Sequence, residues 1–140
     1  MKRRDFILTA AAASGALALS PVAATAAPMV FTPGVVAKEL AAGKTVFLDF
    51  KASWCSTCAA QERVIAALKA ANPAYEQNIS FVDVDWDDYG RHEFTKSLNI
   101  PRRSTLVVLK GDQELGRIVA QTGESEIKAL MDTALNAATM

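Results

Sequence analysis

Cys55 and Cys58 are the only cysteines in the 140-residue chain, and Ser56-Thr57 lies between them. Two thiols at this spacing close and open as a disulfide. As a structural staple they do little, because so short a loop removes little entropy from the unfolded chain. The residues before them, Thr-Val-Phe-Leu-Asp-Phe-Lys at 45–51, are β-rich and nearly all apolar. Those after them, 59–71, have the pattern of an amphipathic helix. The pair therefore sits where a strand hands over to a helix. At a helix N-terminus, free backbone N–H groups and the macrodipole favour a thiolate, which is the reactive form of cysteine. Cys55 is the candidate nucleophile and Cys58, one turn further in, the candidate resolving thiol. Asp49 interrupts the apolar strand six residues before Cys55. Burial there raises a carboxyl pKa and makes it a candidate proton relay to Cys58; the plain alternative is a strand-end Asp that reaches solvent or caps a turn.

The elements that position these residues read in order along the chain. Val35, Val36 and Leu40 give a helix over 33–42, opened near Pro33 and stopped at Gly43. The strand at 45–51 follows, then the cysteine pair and the helix 59–71, which carries Ala60, Val64, Ile65 and Leu68 on one side and ends by Asn72-Pro73. Residues 79–85 alternate as a second strand, and 88–98 predict a helix. Strands at 104–110 and 114–119 are joined by a short hairpin connection at 111–113. A last helix, 125–138, places Ile127, Leu130, Met131 and Leu135 at helical spacing. This order predicts an α/β fold with a central mixed β-sheet flanked by helices. Its first two strands are parallel across the cysteine helix and its last two form an antiparallel hairpin.

Residues 1–26 read as an export signal. Lys2-Arg3-Arg4 precedes an apolar, Ala-rich run, and Ala24-Thr25-Ala26 provides a site for cleavage before Ala27. The paired arginines followed by Asp-Phe-Ile resemble a twin-arginine signal. The alternatives are an uncleaved anchor or a disordered tail, and the apolar run is shorter than the roughly 20 residues a bilayer span needs. Removing this segment leaves a single domain, 27–140, with 12 basic and 14 acidic residues and a formal charge near −2. That balance points to neither nucleic acid nor an anionic membrane as partner. The expected location is the periplasm, where disulfides persist.

Taken together, the strand and Trp-Cys-Ser-Thr-Cys at 46–58, the strand and turn Ser-Thr-Leu-Val-Val-Leu-Lys-Gly at 104–111 and the terminal helix resemble the thioredoxin superfamily over about residues 31–137. The length between the second strand and the Ser104 strand is more similar to the periplasmic thioredoxin-like domain of the DsbD reductase. The resemblance implies a thioredoxin-like fold and a thiol–disulfide oxidoreductase. It gives Cys55 the exposed attacking role, Cys58 the buried one, Asp49 the acid's role, and Trp54 a flanking position. It implies protein disulfides as substrates and a membrane thiol reductase as electron donor. A monomer without cofactor or metal is expected, and reduction is the favoured direction.

One position departs from the family. Matching 105–108 to the strand that faces the active site puts Ser104 where members carry a cis-proline, typically as Ile-Pro-Thr; Pro101 is three residues early. A serine there is expected to keep a trans bond, because a non-proline cis bond costs about 2.5–4 kcal/mol. It brings a hydroxyl near the sulfurs, able to hydrogen-bond a thiolate. Arg102 and Arg103 would then lie close to Cys55, either stabilising the thiolate and favouring acidic substrates or standing as a solvated pair. Arg103, Ser104 and Thr105, with Trp54, make the expected substrate-binding rim.

The alternative function is a metal-binding protein or metallochaperone that uses Cys55 and Cys58 as ligands. Structural zinc fits poorly, because His92 is the only histidine. Residues 83–88 resemble the opening of a calcium loop, but Asp88 stands where a glycine is needed. They read better as a strand running into a helix N-terminus.

Overall fold

In the computed structural model, residues 27–140 are described; the predicted export segment, 1–26, lies outside them. A five-stranded mixed sheet runs in the order β1-β3-β2-β4-β5. The strands are β1 (Met29–Val30), β2 (Thr45–Lys51), β3 (Ile79–Asp85), β4 (Thr105–Lys110) and β5 (Gln113–Val119). β3 pairs parallel with both β1 and β2, while β2–β4 and β4–β5 are antiparallel. This is the predicted mixed sheet, with β1 added at one edge, a two-residue strand too short to show periodicity.

The helices are α1 (Val35–Ala41), α2 (Ser56–Ala71), α3 (Ala74–Asn78), α4 (Trp86–Tyr89), α5 (Glu93–Ser97) and α6 (Glu124–Ala138). β2 is covered on both faces, and that is why its sequence shows no alternation. On one face Phe47, Phe81, Leu106 and Val108 pack against Ile65 and Leu68 of α2, Tyr75 of α3, and Ile127, Leu130 and Met131 of α6. On the other, Val46, Leu48, Phe50, Val82 and Val107 meet Val36 of α1 and, from α4 and α5, Trp86, Tyr89 and Phe94.

Several element ends move by one or two residues, and three departures are larger. The cysteine helix begins at Ser56 instead of 59, because Cys55 itself caps it: its backbone is extended and its Sγ accepts the Cys58 N–H at 3.1 Å. The buried stripe of that helix is Cys58, Gln61, Ile65 and Leu68, with Val64 only partly covered and Ala60 off the stripe. The single helix expected over 88–98 is two short ones. Asp85 caps α4 by accepting the Asp87 N–H at 2.8 Å, and His92 Nδ1 caps α5 by accepting from Phe94 N–H at 3.2 Å. A cap inside the segment starts a new helix, so Gly90 and Arg91 become a turn. α3 was not expected, since Asn72-Pro73 reads as a stop; Asn72 Oδ1 accepts the Ala74 N–H at 3.1 Å and restarts the chain as a helix.

Leu106 is fully buried at the centre of the α2–α6 face. Leu106→Ala is expected to lower unfolding free energy by about 2–5 kcal/mol, through lost burial and the cavity left behind. Urea denaturation of the oxidised protein measures this.

Candidate active site

The chain leaves β2 at Lys51 and reaches the cysteines in four residues. Cys55 and Cys58 are joined as a disulfide, with Cα atoms 5.3 Å apart. Both are buried, at 4% and 1% exposure, in a small cluster with Ala52 against Trp86, so Cys55 is not the exposed thiol the resemblance implied. Trp54, in contrast, is 58% exposed. Its indole N–H donates to both carboxylate oxygens of Asp87, at 3.0 and 3.1 Å. The Arg103 guanidinium lies over the indole, 4.4 Å from the ring centroid. Trp54, Trp86, Asp87, Asp88 and Arg91 line a groove beside the disulfide.

Ser104 lies directly before β4, fully buried, and its Oγ is 3.2 Å from Cys55 Sγ and 3.2 Å from Cys58 Sγ. Among the described residues every peptide bond is trans, including that of Ser104. Its φ is +62°, in the left-handed region, which costs an L-residue roughly 1–2 kcal/mol. Three main-chain hydrogen bonds hold it there. The Ser104 N–H donates to Phe50 O at 2.7 Å, and the Ser104 carbonyl accepts from Ala120 N–H at 2.9 Å and from Gln61 Nε2 at 3.0 Å. Thr105, also buried, donates its hydroxyl to Arg102 O at 2.7 Å and so shapes the turn that leads into β4. Arg102 donates from Nε to Arg103 O at 3.2 Å. Of the two arginines, Arg103 is the one that stacks on the site's tryptophan.

Asp49 is 6% exposed and faces α2 from the middle of β2, paired in register with Asp83. Its Oδ1 has no hydrogen-bond partner. It lines a cleft of about 220 Å³ with Lys51, Glu62, Lys69 and Asp83. Burial, reinforced by the charge of Asp83, pushes its pKa up to about 7, although Lys51 and Lys69 oppose the shift. Burial raises Asp83 as well. For Lys51 burial acts downward, but the hydrogen bond to Glu62 and the charges of Asp83 and Asp49 outweigh it and hold the amine above its ordinary value. Lys51 Nζ is 2.9 Å from Glu62 Oε1 and 3.7 Å from Asp83 Oδ2. Lys69 sits 3.9 Å over the Phe81 ring centroid, lowered by burial.

The structure thus brings Cys55, Cys58 and Ser104 into contact and groups Trp54 with Arg103, while Asp49 lies in a cleft between β2 and α2 whose lining does not include the cysteines. The sequence reading missed Asp87, Gln61 and the Lys51–Glu62–Asp83 cluster. Gln61 had a signal: it occupies the same helical stripe as Ile65 and Leu68. His92 is a helix cap against Phe31 and Tyr89, away from the sulfurs. Among the described residues no group of three or more His, Cys, Asp or Glu is arranged to hold a metal ion.

A mixed sheet between two helical layers, with a Cys-x-x-Cys disulfide capping the helix after a central strand, defines a thioredoxin-like protein. The thioredoxin family model matches residues 29–133, and the chain belongs to that family. It is 30% identical over 93 residues to thioredoxin H4-2 of Oryza sativa, a match covering 64% of this chain and 66% of that protein. Over 77 residues it is 31% identical to an H-type thioredoxin of Fagopyrum esculentum, covering 55% of this chain and 61% of the relative. The chain thus spans just under two thirds of the length of these curated relatives. Among solved structures, Trxlp from Edwardsiella tarda superposes with a TM-score of 0.65 at 25% identity, over 74% of this chain and 98% of that one. A thioredoxin of Malassezia sympodialis shares the fold, with a TM-score of 0.64 at 24% identity, over 78% and 91% of the two chains.

Asp49 gives a stability prediction. Its folded pKa, about 7, lies above the unfolded value near 3.9, so between those pH values the native chain binds more protons than the unfolded one. Stability from this group is full below about pH 4, falls as pH rises to 7, and is level above. Asp49→Asn is therefore expected to be more stable than wild type at pH 8, by about 4 kcal/mol at most, with the difference vanishing towards pH 4. Urea titrations of the oxidised proteins at the two pH values test it.

Proposed function

We propose that this chain is an exported thiol–disulfide oxidoreductase that reduces protein disulfides in the periplasm by cycling Cys55 and Cys58 between dithiol and disulfide. The observation that carries the reading is the Cys55–Cys58 disulfide capping α2 in a chain of the thioredoxin family. Attack by the Cys55 thiolate on a substrate disulfide breaks that S–S bond, forms a mixed disulfide and releases one substrate thiolate. The Cys58 thiol then loses its proton. Its thiolate attacks Cys55 Sγ, closes the internal disulfide and releases the second substrate thiol. Two electrons pass from the dithiol to the substrate.

Asp49, with its pKa raised to about 7, is suited to exchange a proton near neutral pH, which supports its role as relay to Cys58, and the cleft it lines opens it to solvent. Trp54 and Arg103 form the substrate rim, with the exposed indole offering an apolar platform, while Ser104 and Thr105, expected there as well, are fully buried beneath it. Spacing similar to the DsbD domain supports reduction, with a membrane thiol reductase as electron donor.

Equilibration of the protein against a graded thiol/disulfide buffer, followed by thiol counting, tests the chemistry. A reversible two-electron couple near −270 mV supports a reductase. One near −120 mV makes it an oxidant, and no couple in metal-free protein overturns the reading. Cys58→Ser is expected to accumulate mixed disulfides that Cys55→Ser does not form, visible as reducible adducts on non-reducing gels. For export, a joint Arg3→Lys and Arg4→Lys substitution is expected to leave full-length precursor in the cytoplasm. Processing and periplasmic recovery unaffected by it would remove the twin-arginine assignment.

A further inference from the structure

The residue that touches both sulfurs belongs to neither cysteine loop nor helix. Ser104 Oγ is 3.2 Å from Cys55 Sγ and 3.2 Å from Cys58 Sγ, with no side chain between. Disulfide sulfurs carry no hydrogen, so in this state the serine hydroxyl is the donor. Among the described residues this hydroxyl has no partner besides the two sulfurs, and the Ser104 main chain is engaged separately with Phe50, Ala120 and Gln61. Its surroundings are dry, since the residue is fully buried, and a hydrogen bond to a charged group is stronger there than in water. The backbone holds a left-handed conformation unfavourable to serine, and such a conformation persists only where its surroundings over-determine it. Gln61 contributes to that: one turn after Cys58 on the same helix, it ties the Ser104 carbonyl to α2 at 3.0 Å and the Gln121 carbonyl to it at 2.9 Å. The hydroxyl is thus held at a fixed height over the pair while its hydrogen stays free to rotate.

We infer that Ser104 is a catalytic hydrogen-bond donor that follows the negative charge from one sulfur to the other during the dithiol–disulfide cycle. The inference rests on the proposed redox function and gives it a residue-level mechanism. In the reduced protein the hydroxyl donates to the Cys55 thiolate, alongside the Cys58 N–H that already reaches this sulfur at 3.1 Å. Cys55 then attacks the substrate disulfide; its charge passes to the departing substrate sulfur, which is protonated as it leaves. Cys58 gives up its proton and becomes the only charged sulfur in the site. A rotation about the Ser104 Cβ–Oγ bond turns the hydrogen to it, with no backbone movement. When Cys58 attacks Cys55, the charge leaves on the second substrate sulfur and the hydroxyl returns to the weak acceptors of the disulfide seen here. A thiolate accepts more strongly than a disulfide sulfur, so the hydroxyl stabilises the reduced form over the oxidised one.

Two substitutions separate the hydroxyl from the backbone. Ser104→Ala removes the oxygen and keeps the cost of a positive φ; Ser104→Gly removes the oxygen and relieves that cost. A donor role predicts the same change in both. The dithiol/disulfide equilibrium against glutathione is expected to move about tenfold towards the disulfide, equivalent to about 30 mV for two electrons. Alkylation of reduced Cys55 by iodoacetamide at pH 7 is expected to slow about threefold, since lost thiolate is partly offset by the higher nucleophilicity of a more basic sulfur. If both variants titrate with the wild-type equilibrium and alkylate at the wild-type rate, the inference is wrong and the serine only fills space. A shift in one variant but not the other assigns the effect to the backbone and also overturns it. Should Ser104→Ala fail to fold, the glycine variant decides by the pH profile of its alkylation: loss of a thiolate donor moves the midpoint of the Cys55 rate to higher pH, and an unmoved midpoint overturns the inference even where relief of backbone strain has shifted the redox equilibrium. A wild-type protein without a reversible couple removes the redox reading and this one together; a wild-type couple with unchanged variants removes this one alone.

Discussion

One hydrogen bond, from the Ser104 N–H to the Phe50 carbonyl at 2.7 Å, joins the two chain segments on which the site is built. It continues the antiparallel ladder of β2 and β4 one step beyond the Phe50–Thr105 pair, at the end of the sheet where the cysteine loop begins. Because β2 is buried on both faces, that end is rigid, and the loop leaving it has only three residues before the first thiol. Cys55 then caps α2 with its own sulfur, which sets its rotamer by the same contact that starts the helix. Sheet register therefore decides which residue faces the disulfide. A slip of one residue would turn Ser104 away and present a neighbour instead.

Two buried groups at the site depart from ordinary folding preference in ways that bear on its chemistry. Ser104 adopts a left-handed backbone, and Asp49 puts a carboxyl oxygen without a partner beneath α2. An unpaired buried carboxylate is far more costly than the serine conformation. The protein answers by keeping Asp49 protonated up to about pH 7. Lys51 and Lys69 line the same cleft but are each committed, Lys51 to Glu62 and Asp83, Lys69 to Glu76 and the Phe81 ring. Their charge limits the rise in the Asp49 pKa without forming an ion pair that would abolish it. A carboxyl in that intermediate position can exchange a proton at neutral pH, as neither a fully paired nor a fully isolated one would.

Much of this was legible in the sequence. The unbroken apolar run before Cys55 announced a strand covered on both sides. The Cys-x-x-Cys after it announced a helix start, and the acid inside the run announced a raised pKa. The alignment of Ser104 with the strand that follows placed its hydroxyl near the sulfurs, and the structure brings it to both. What the sequence could not show depends on contacts between distant segments or on caps inside a polar stretch. Asp87 meets Trp54 across 33 positions, and while the place of Gln61 on the buried stripe is legible, its partner, the Ser104 carbonyl 43 positions away, is not. The split of residues 88–98 turned on His92 acting as a cap, a use of histidine that periodicity does not reveal. Likewise β1 is defined only by its partner β3.

The arrangement of polar groups also bears on how a thiolate is stabilised here. Two arginines before β4 suggest a cation held against the sulfur, yet the Arg103 guanidinium is stacked on Trp54 and Arg102 turns back to the Arg103 carbonyl. The donors that reach Cys55 Sγ are the Cys58 N–H and the Ser104 hydroxyl, both neutral and both buried. Fixed dipoles in a dry site need little reorganisation when charge moves, whereas an exposed cation is screened by salt. A cation close to Cys55 would also favour that sulfur's thiolate at every stage and hinder transfer of charge to Cys58. A hydroxyl equidistant from both sulfurs has no such bias. The charge of Arg103 is left over the exposed indole, while the group in contact with both sulfurs is the neutral Ser104 hydroxyl.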